Sequence, residues 1–349
     1  MDFQELLYED FQEIWEYKLP WENLDNTTIL VTGASGLIGS FFVYALLNRN
    51  LMYRSNIHII ALARDIERLQ EKFGAFLDVE IIVQDVCNTI PYDKNLDFIL
   101  HAACDVQPKT KALNPVGTCK TTVEGTIQVC ELAQKKHAKI ILLSSIGVYG
   151  KARQNTPFGN ETLADIDLAD SSFSYNEGKR MSEMICASYA KQYGLHYSTL
   201  RIGRVYGPTM NKTDSMVLSS FLFEAVNGNE LYLKSDGKQH YSYVYVADVV
   251  AAIFILMFKG KCTYYNCGEG NSIEQINLGK IVEIIAKENN VPMRKINMNI
   301  SDKEIYSSTA YCVMTSDLLI QLGWQKLTDI EQGIRKTSQI LKHFIKGRQ

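Results

Sequence analysis

An apolar run, Thr28-Ile-Leu-Val-Thr32, stops at Gly33-Ala-Ser-Gly-Leu-Ile-Gly39, and another apolar stretch follows directly. Few folds accept glycines at this spacing between two buried segments. A strand that turns sharply into a helix does: Gly33 suits the tight turn, Gly36 lets backbone approach a pyrophosphate, and Gly39 permits close helix–strand packing. The helix N-terminus then faces the anion. These three glycines, with Ser35, Leu37 and Ile38 between them, form the candidate dinucleotide contact.

Beyond this turn the chain alternates β-branched runs with helical stretches. Residues 28–32, 57–63, 80–83, 98–101, 139–144 and 198–202 read as buried strands. Residues 41–48, 66–73, 122–135, 176–193, 218–227, 247–258, 278–288 and 330–345 read as helices. Such alternation predicts an α/β fold, a Rossmann-type doubly wound parallel sheet with helices on both faces. The regular pattern stops after Tyr206-Gly-Pro208, so a smaller α+β substrate lobe is expected at the C-terminal end. The expected divisions are a helical extension over 1–27, a dinucleotide-binding domain over 28–206 and a substrate lobe over 207–349, with helix 247–258 returning to the first domain. In residues 1–19, Phe3, Leu7, Phe11, Ile14 and Trp15 recur at helical spacing, which predicts one amphipathic helix ended by Pro20. Its expected role is to cap the domain or join a subunit interface.

With 349 residues and 46% hydrophobic composition the chain can bury a large core. A net charge of -3 gives no basic face for nucleic acid. The eight cysteines lack CxxC pairs or histidine partners, so no metal site is expected and they read as buried reduced thiols of the cytoplasm. No secretory signal opens the chain, and the run 249–258 is too short to cross a bilayer, so membrane insertion is not expected.

Tyr175 and Lys179 share one helix face, one turn apart. A phenol ionises near ~10, so a Tyr base working near neutrality must be favoured about a thousandfold, roughly 4 kcal/mol. A nearby ammonium and a cationic nicotinamide are the expected sources. Tyr175 would then exchange a proton with a substrate hydroxyl or carbonyl while the nicotinamide exchanges a hydride, and Lys179 would also hold its ribose. Ser145, at the carboxyl edge of the sheet, is placed to bond the same substrate oxygen. After the second strand stand Arg64 and Asp65 where an NAD site carries an acid; Arg64 suits the 2′-phosphate of NADP, and NADP is favoured over NAD. The alternative is that Arg64 is solvated and Asp65 caps the next helix.

These residues resemble the extended short-chain dehydrogenase/reductases, which include nucleotide-sugar epimerases, dehydratases, decarboxylases and reductases. The resemblance runs from Thr28 to Trp324. It takes in Asp85-Val86, similar to the family's adenine-binding pair, and His101-Ala102-Ala103, similar to its strand-four cofactor segment. It also takes in Leu143 to Gly150, Tyr206-Gly-Pro208, Tyr245 to Asp248 and Leu322-Gly-Trp324, and it aligns the catalytic Ser or Thr with Ser145. Relatives that dehydrate or decarboxylate carry an acid just after that residue, whereas this chain has Ile146-Gly147. That departure disfavours elimination of water. Tyr241 stands where the family often has an Arg and Arg204 where it has an Asn, so Arg204 is the candidate for the substrate's phosphates, or else a structural ion-pair partner. Thr122 replaces an Asn, which weakens orientation of the catalytic segment. The resemblance implies NAD(P)-dependent oxidoreduction of a nucleotide-activated sugar by a homodimer built on the Tyr175 helix. It favours 4-epimerisation for surface polysaccharide precursors, with NADPH-dependent reduction of a keto-sugar as the alternative and a non-catalytic cofactor sensor as the third reading.

Overall fold

The computed structural model describes residues 3–104, 108–152, 155–212, 214, 216–270, 276–296 and 311–346. The first element is shorter than its periodicity suggests. Two helices, α1 (Phe3–Leu6) and α2 (Tyr8–Trp15), replace the single one expected over 1–19, and a 3₁₀ turn follows at Trp21–Leu24. The chain tightens because the Tyr17 N–H bonds back to Ile14 O at 3.3 Å and Leu19, ahead of Pro20, is sterically barred from the helical region. The polar side of α2 is not simply solvated. Asp10 is buried, accepting from the Tyr245 hydroxyl and the Lys336 ammonium, both at 2.7 Å. Leu7, Phe11 and Ile14 are buried as well, with Phe11 edge-on to Phe41 at 5.5 Å. The Phe3 side chain lies outside the described residues.

From Thr28 the order is β1 (Thr28–Thr32), α3 (Leu37–Tyr53), β2 (His58–Ala63), α4 (Ile66–Phe73), β3 (Val79–Val83), β4 (Phe98–His101), α5 (Pro108–Leu113), α6 (Pro115–Lys136), β5 (Lys139–Ser145), α7 (Ser174–Tyr193) and β6 (Tyr197–Ile202). The helices outrun their apolar stretches where caps extend them. α3 begins at once after Gly36, and α6 begins seven residues before Thr122 because Asn114 Oδ1 accepts from Gly117 N at 3.0 Å. Then come β7 (Arg204–Tyr206), α8 (Val217–Val226), β8 (Leu231–Leu233), β9 (His240–Tyr241), β10 (Tyr243–Tyr245), α9 (Val246–Lys259), β11 (Tyr264–Cys267), α10 (Leu278–Asn289), β12 (Met293–Lys295), β13 (Tyr311–Cys312), α11 (Asp317–Gln321) and α12 (Ile330–Lys346).

Seven parallel strands form the central sheet in the order β11-β6-β5-β4-β1-β2-β3, with helices on both faces. This Rossmann-type arrangement corrects one expectation: the alternation does not end at Pro208. After β7 and the small lobe, α9 packs against α3 and feeds β11, whose Tyr264–Cys267 pair with Thr199–Ile202 of β6. The segment Tyr-Tyr-Asn-Cys has no β-branched residue and an internal Asn, so its pattern does not read as a strand. Lys139 fixes the return helix by donating to the carbonyls of Leu256, Met257 and Gly260 at 2.7, 3.0 and 3.0 Å, where the helix dipole favours a cation. Among the described residues no helix is long and apolar enough to cross a membrane and no cluster of metal ligands occurs. Of the eight cysteines only Cys130, Cys186 and Cys267 are buried and Cys262 is exposed, so burial of the thiols is narrower than expected.

Phe11→Ala should therefore lower unfolding free energy by about 3–5 kcal/mol in chemical denaturation, because the extension is part of the core and the ring leaves a cavity behind.

Candidate functional site

The turn after β1 has the conformation that its glycines imply. Gly33 has φ of 67°, and a Cβ there would lie 2.8 Å from the backbone of Ala102 and Ala103, where the chain leaves β4. A Cβ on Gly39 would come within 2.5 Å of the Gly33 carbonyl. Gly36 is the N-cap of α3 and offers no side chain, so the first helical N–H groups, at Leu37 and Ile38, remain for an anion. The other end of the turn is clasped by the segment after β7: Thr209 Oγ1 donates to Leu37 O at 2.8 Å, and Asn211 Nδ2 to Ser35 O at 3.4 Å. A shape with no room for a Cβ and uncapped N–H groups at its rim fits a dinucleotide diphosphate.

Ala102 N and Ala103 N bond Thr32 O and Thr32 Oγ1, both at 3.2 Å, which ties β4 to β1 at the sheet edge. Below them His101 is fully enclosed, with Nδ1 2.8 Å from Thr32 Oγ1 and Nε2 3.2 Å from Thr126 Oγ1. The Thr126 hydroxyl also lies 2.7 Å from Thr122 O and 2.9 Å from Ser182 Oγ. Burial, reinforced by Lys179, pushes the imidazole down to about 3, so His101 is neutral and serves as a polar link between sheet and helices.

At the end of β2, Asp65 is committed to α4: Oδ1 accepts from Arg68 N at 3.1 Å and Oδ2 faces Arg68 Nε at 3.0 Å. Arg64, 61% exposed, stands 3.8 Å from Asp85 Oδ2 at the rim of a cavity of about 330 Å³ lined also by Thr118, Lys120 and Thr121. Asp85 Oδ1 accepts from Cys87 N at 3.0 Å, and that bond, with a smaller contribution from Arg64, lowers the carboxyl's pKa. Val86 is buried against Gly125, where a Cβ would meet its methyl at 2.7 Å.

The proton-transfer candidates come together across β5 and α7. Ser145 is the last residue of β5 rather than lying beyond it, its hydroxyl accepts from Gly147 N at 3.1 Å, and its proximity to the Tyr175 phenol favours the phenolate. Lys179 donates to Leu143 O at 2.7 Å. Burial pushes the Tyr175 phenol above its ordinary value, Cys104 adds to this, and Ser145 offsets only part. The Lys179 ammonium is held by that carbonyl of Leu143, one helical turn from Tyr175. A Cβ at Gly147 would lie 3.3 Å from Ser145 Oγ and 3.2 Å from Asn176 Nδ2, so position 147 faces the reacting groups and presents only hydrogen. Thr122 bonds its own helix, donating to Thr118 O at 2.6 Å, while Asn176 Nδ2 holds the catalytic segment through Gly147 O at 2.7 Å. Asn176 was not singled out from the sequence, although its place directly after Tyr175 was a signal.

β5 and β6 pair Ser145 with Ile202, so Arg204 lies two residues beyond the same edge. Its guanidinium sits 3.6 Å from the Tyr241 ring centroid, and among the described residues it makes no ion pair. Tyr243, buried beside it, has a hydroxyl with no hydrogen-bond partner among the described residues, and burial pushes this phenol up to about 12. Sequence reading also passed over Glu183 and Arg201, which form a two-armed ion pair with Arg201 Nε 3.0 Å from Oε1 and Nη2 2.7 Å from Oε2.

A doubly wound sheet with a glycine turn at β1 and a Ser, Tyr and Lys gathered at β5 and α7 defines a dinucleotide-dependent oxidoreductase frame. Residues 29–268 match the NAD dependent epimerase/dehydratase family, and the chain belongs to it. It is 32% identical over 265 residues to UDP-glucuronic acid decarboxylase 6 of Arabidopsis thaliana, covering 75% of each chain. Among solved structures, an epimerase of Methanothermobacter thermautotrophicus superposes with a TM-score of 0.81 at 18% identity, covering 97% of both chains. The UDP-glucose 4-epimerase of Thermotoga maritima, with UDP-glucose, superposes at 0.77 and 22% identity, covering 91% of this chain and 100% of that one. These two likenesses show the extended short-chain dehydrogenase/reductase fold.

Gly33→Ala should weaken NAD⁺ binding by at least about tenfold in titration calorimetry, since the new methyl strains a left-handed φ and meets the Ala102 backbone.

Proposed function

We propose that this enzyme oxidises and re-reduces C4 of a nucleotide-activated sugar, giving net 4-epimerisation in the supply of surface polysaccharide precursors. The observation that carries this reading is the grouping of Ser145, Tyr175 and Lys179 at the sheet edge beside a position 147 that bears no acid. NAD⁺, when bound, accepts a hydride from the sugar carbon and returns it. Tyr175 takes the hydroxyl proton as that hydride leaves and gives it back on the return, so the cycle closes without net oxidation. Ser145 holds the same oxygen, and Lys179, which donates to Leu143 O, would also hold the cofactor ribose. Arg204, over the Tyr241 ring and beside a Tyr243 hydroxyl that has no hydrogen-bond partner among the described residues, supplies the cation for the substrate's diphosphate. The family match and the names of the relatives support a UDP-sugar, and the neutral slot at Gly147 supports redox chemistry without dehydration.

Incubation with UDP-glucuronic acid and with UDP-glucose, followed by proton NMR, should yield a 4-epimer without added cofactor. A pentose product would replace this reading by decarboxylation, and stoichiometric NADPH consumption would replace it by reduction. Tyr175→Phe should lower kcat by at least about a hundredfold while leaving NAD⁺ affinity within about twofold. Undiminished turnover in that variant would remove Tyr175 from the chemistry and reopen the cofactor-sensor reading.

A second reading, NADPH-dependent reduction of a nucleotide-linked keto-sugar, rests on one observation. With Asp65 occupied as a helix cap, the end of β2 presents Arg64 and Arg68 rather than a free acid, a setting suited to a 2′-phosphate. On this reading, Arg64→Ala with Arg68→Ala should weaken NADP⁺ binding by about tenfold or more and spare NAD⁺, as expected for lost charge-assisted hydrogen bonds. Met181 and Met184, 50% and 62% exposed on the outer face of α7, support the homodimer as the state in which this face is covered.

A further inference from the structure

The proposed chemistry needs Tyr175 to ionise, yet its surroundings oppose that. Ser145 from β5 and Cys104 after β4 face the phenol, and burial dominates. His101, behind the cofactor segment, is neutral. Lys179, on the same helix, directs its ammonium to Leu143 O at 2.7 Å. From α6, Cys119 bonds the carbonyl of the neighbouring Ser174 at 3.7 Å and brings no charge. From α5 the Lys111 ammonium rests 4.2 Å from the centroid of the Tyr175 ring. We infer that Lys111 is a positioning residue for catalysis, a cation held on the ring face that favours the phenolate of Tyr175 and so offsets its burial.

The physical basis is charge placement. A cation over a neutral phenol meets only the ring quadrupole, whereas over a phenolate it meets a delocalised negative charge, so the contact strengthens as the proton leaves. Half-burial of Lys111 limits screening of this interaction by solvent and salt. An ammonium on this face also leaves the hydroxyl edge free for Ser145 and substrate. The helix that carries Lys111 abuts the Asn114 cap of α6, which fixes where the side chain starts. Lys111 sits outside both sequence motifs, and nothing in its spacing from Tyr175 points to this contact.

The inference rests on Tyr175 being the proton-transfer group, and the experiment separates the two claims. Tyrosinate absorbance is titrated in the NAD⁺-saturated protein and in its Tyr175→Phe variant, and the difference gives the ionisation of Tyr175 alone. Repeating the pair in a Lys111→Met background should move that ionisation upward by about one pH unit, a tenfold change. Lys111→Arg should restore it, and Lys111→Gln provides a second neutral variant should the Met protein fold poorly. An unmoved titration in both neutral variants overturns the role of Lys111. Full turnover of the UDP-sugars by Tyr175→Phe would instead overturn the proposed chemistry, whatever the titration reads.

Discussion

The geometry of the site hangs on one buried ion pair, Glu183 with Arg201. Both side chains are 12% exposed, and they meet through two parallel arms. Ser144 Oγ adds a 2.5 Å bond to Glu183, and Arg201 Nη1 reaches the Tyr149 hydroxyl at 3.0 Å, which in turn donates to Asn266 at 2.8 Å. The guanidinium also lies 3.6 Å from the Tyr264 ring, so five segments converge on it: β5, the turn after it, α7, β6 and β11. Such a pair adds little to stability, because desolvating both charges cancels most of their attraction. Its effect is orientation. Glu183 sits one turn beyond Lys179 and two beyond Tyr175, so fixing its carboxylate fixes the rotation of α7 and brings the Tyr175 phenol to Ser145.

Beside that anchor runs a line of neutral polar groups. His101 links Thr32 of β1 to Thr126 of α6, and Ser182 of α7 donates to Thr122 O at 2.8 Å, so a line of small hydroxyls runs from beneath the glycine turn to the catalytic helix. If the Thr32 hydroxyl donates to Nδ1 and the imidazole donates from Nε2, each group on the line has a partner, which is the arrangement that low-dielectric burial rewards. The cofactor turn and the proton-transfer pair are thereby parts of one packed unit. Charges flank this line: the buried Lys179 ammonium on Leu143 O, Lys111 above the phenol, Arg204 on Tyr241, and Arg64 near Asp85.

The legible part of this fold was the part in which local pattern and tertiary role agree. β1, β4 and the glycine turn carry their burial in their own residues, and Tyr175 and Lys179 share a face by helical period alone. Helix starts were misplaced where Gly36 or Asn114 extends the helix past its apolar run. β11 was missed because its strand conformation comes from pairing with β6 rather than from its own Tyr-Tyr-Asn-Cys. The resemblance grouped Tyr245 to Asp248 with Leu322-Gly-Trp324, and the contact behind that grouping is physical: Trp324 Nε1 donates to Asp248 O at 2.9 Å, while Asp248 accepts from Leu327 N and Thr328 N at 3.0 and 3.2 Å. Lys111 could not be read ahead, since it acts on a group that only the fold brings near, whereas Asn176 follows Tyr175 directly and Arg68 lies one turn from Asp65.

Gly147 sits between the redox reading and the decarboxylase relatives, and simple chemistry separates what it controls. Elimination of water from a keto-sugar needs a proton delivered to a departing hydroxyl, and position 147, facing Ser145 Oγ, supplies no acid for that transfer. Loss of carbon dioxide is different. A C4 ketone next to a carbon bearing a carboxylate is a β-keto acid, and its C–C bond electrons pass into the ketone without protonation of a leaving group. A glycine at 147 therefore acts against dehydration, whereas the C–C cleavage itself needs no leaving-group acid there. For a site that oxidises C4, the C5 substituent of the sugar it admits then decides between epimer and pentose. A hydroxymethyl group is carried through the cycle where no acid assists departure of its hydroxyl, whereas a carboxylate is held only if the pocket brings a cation to it.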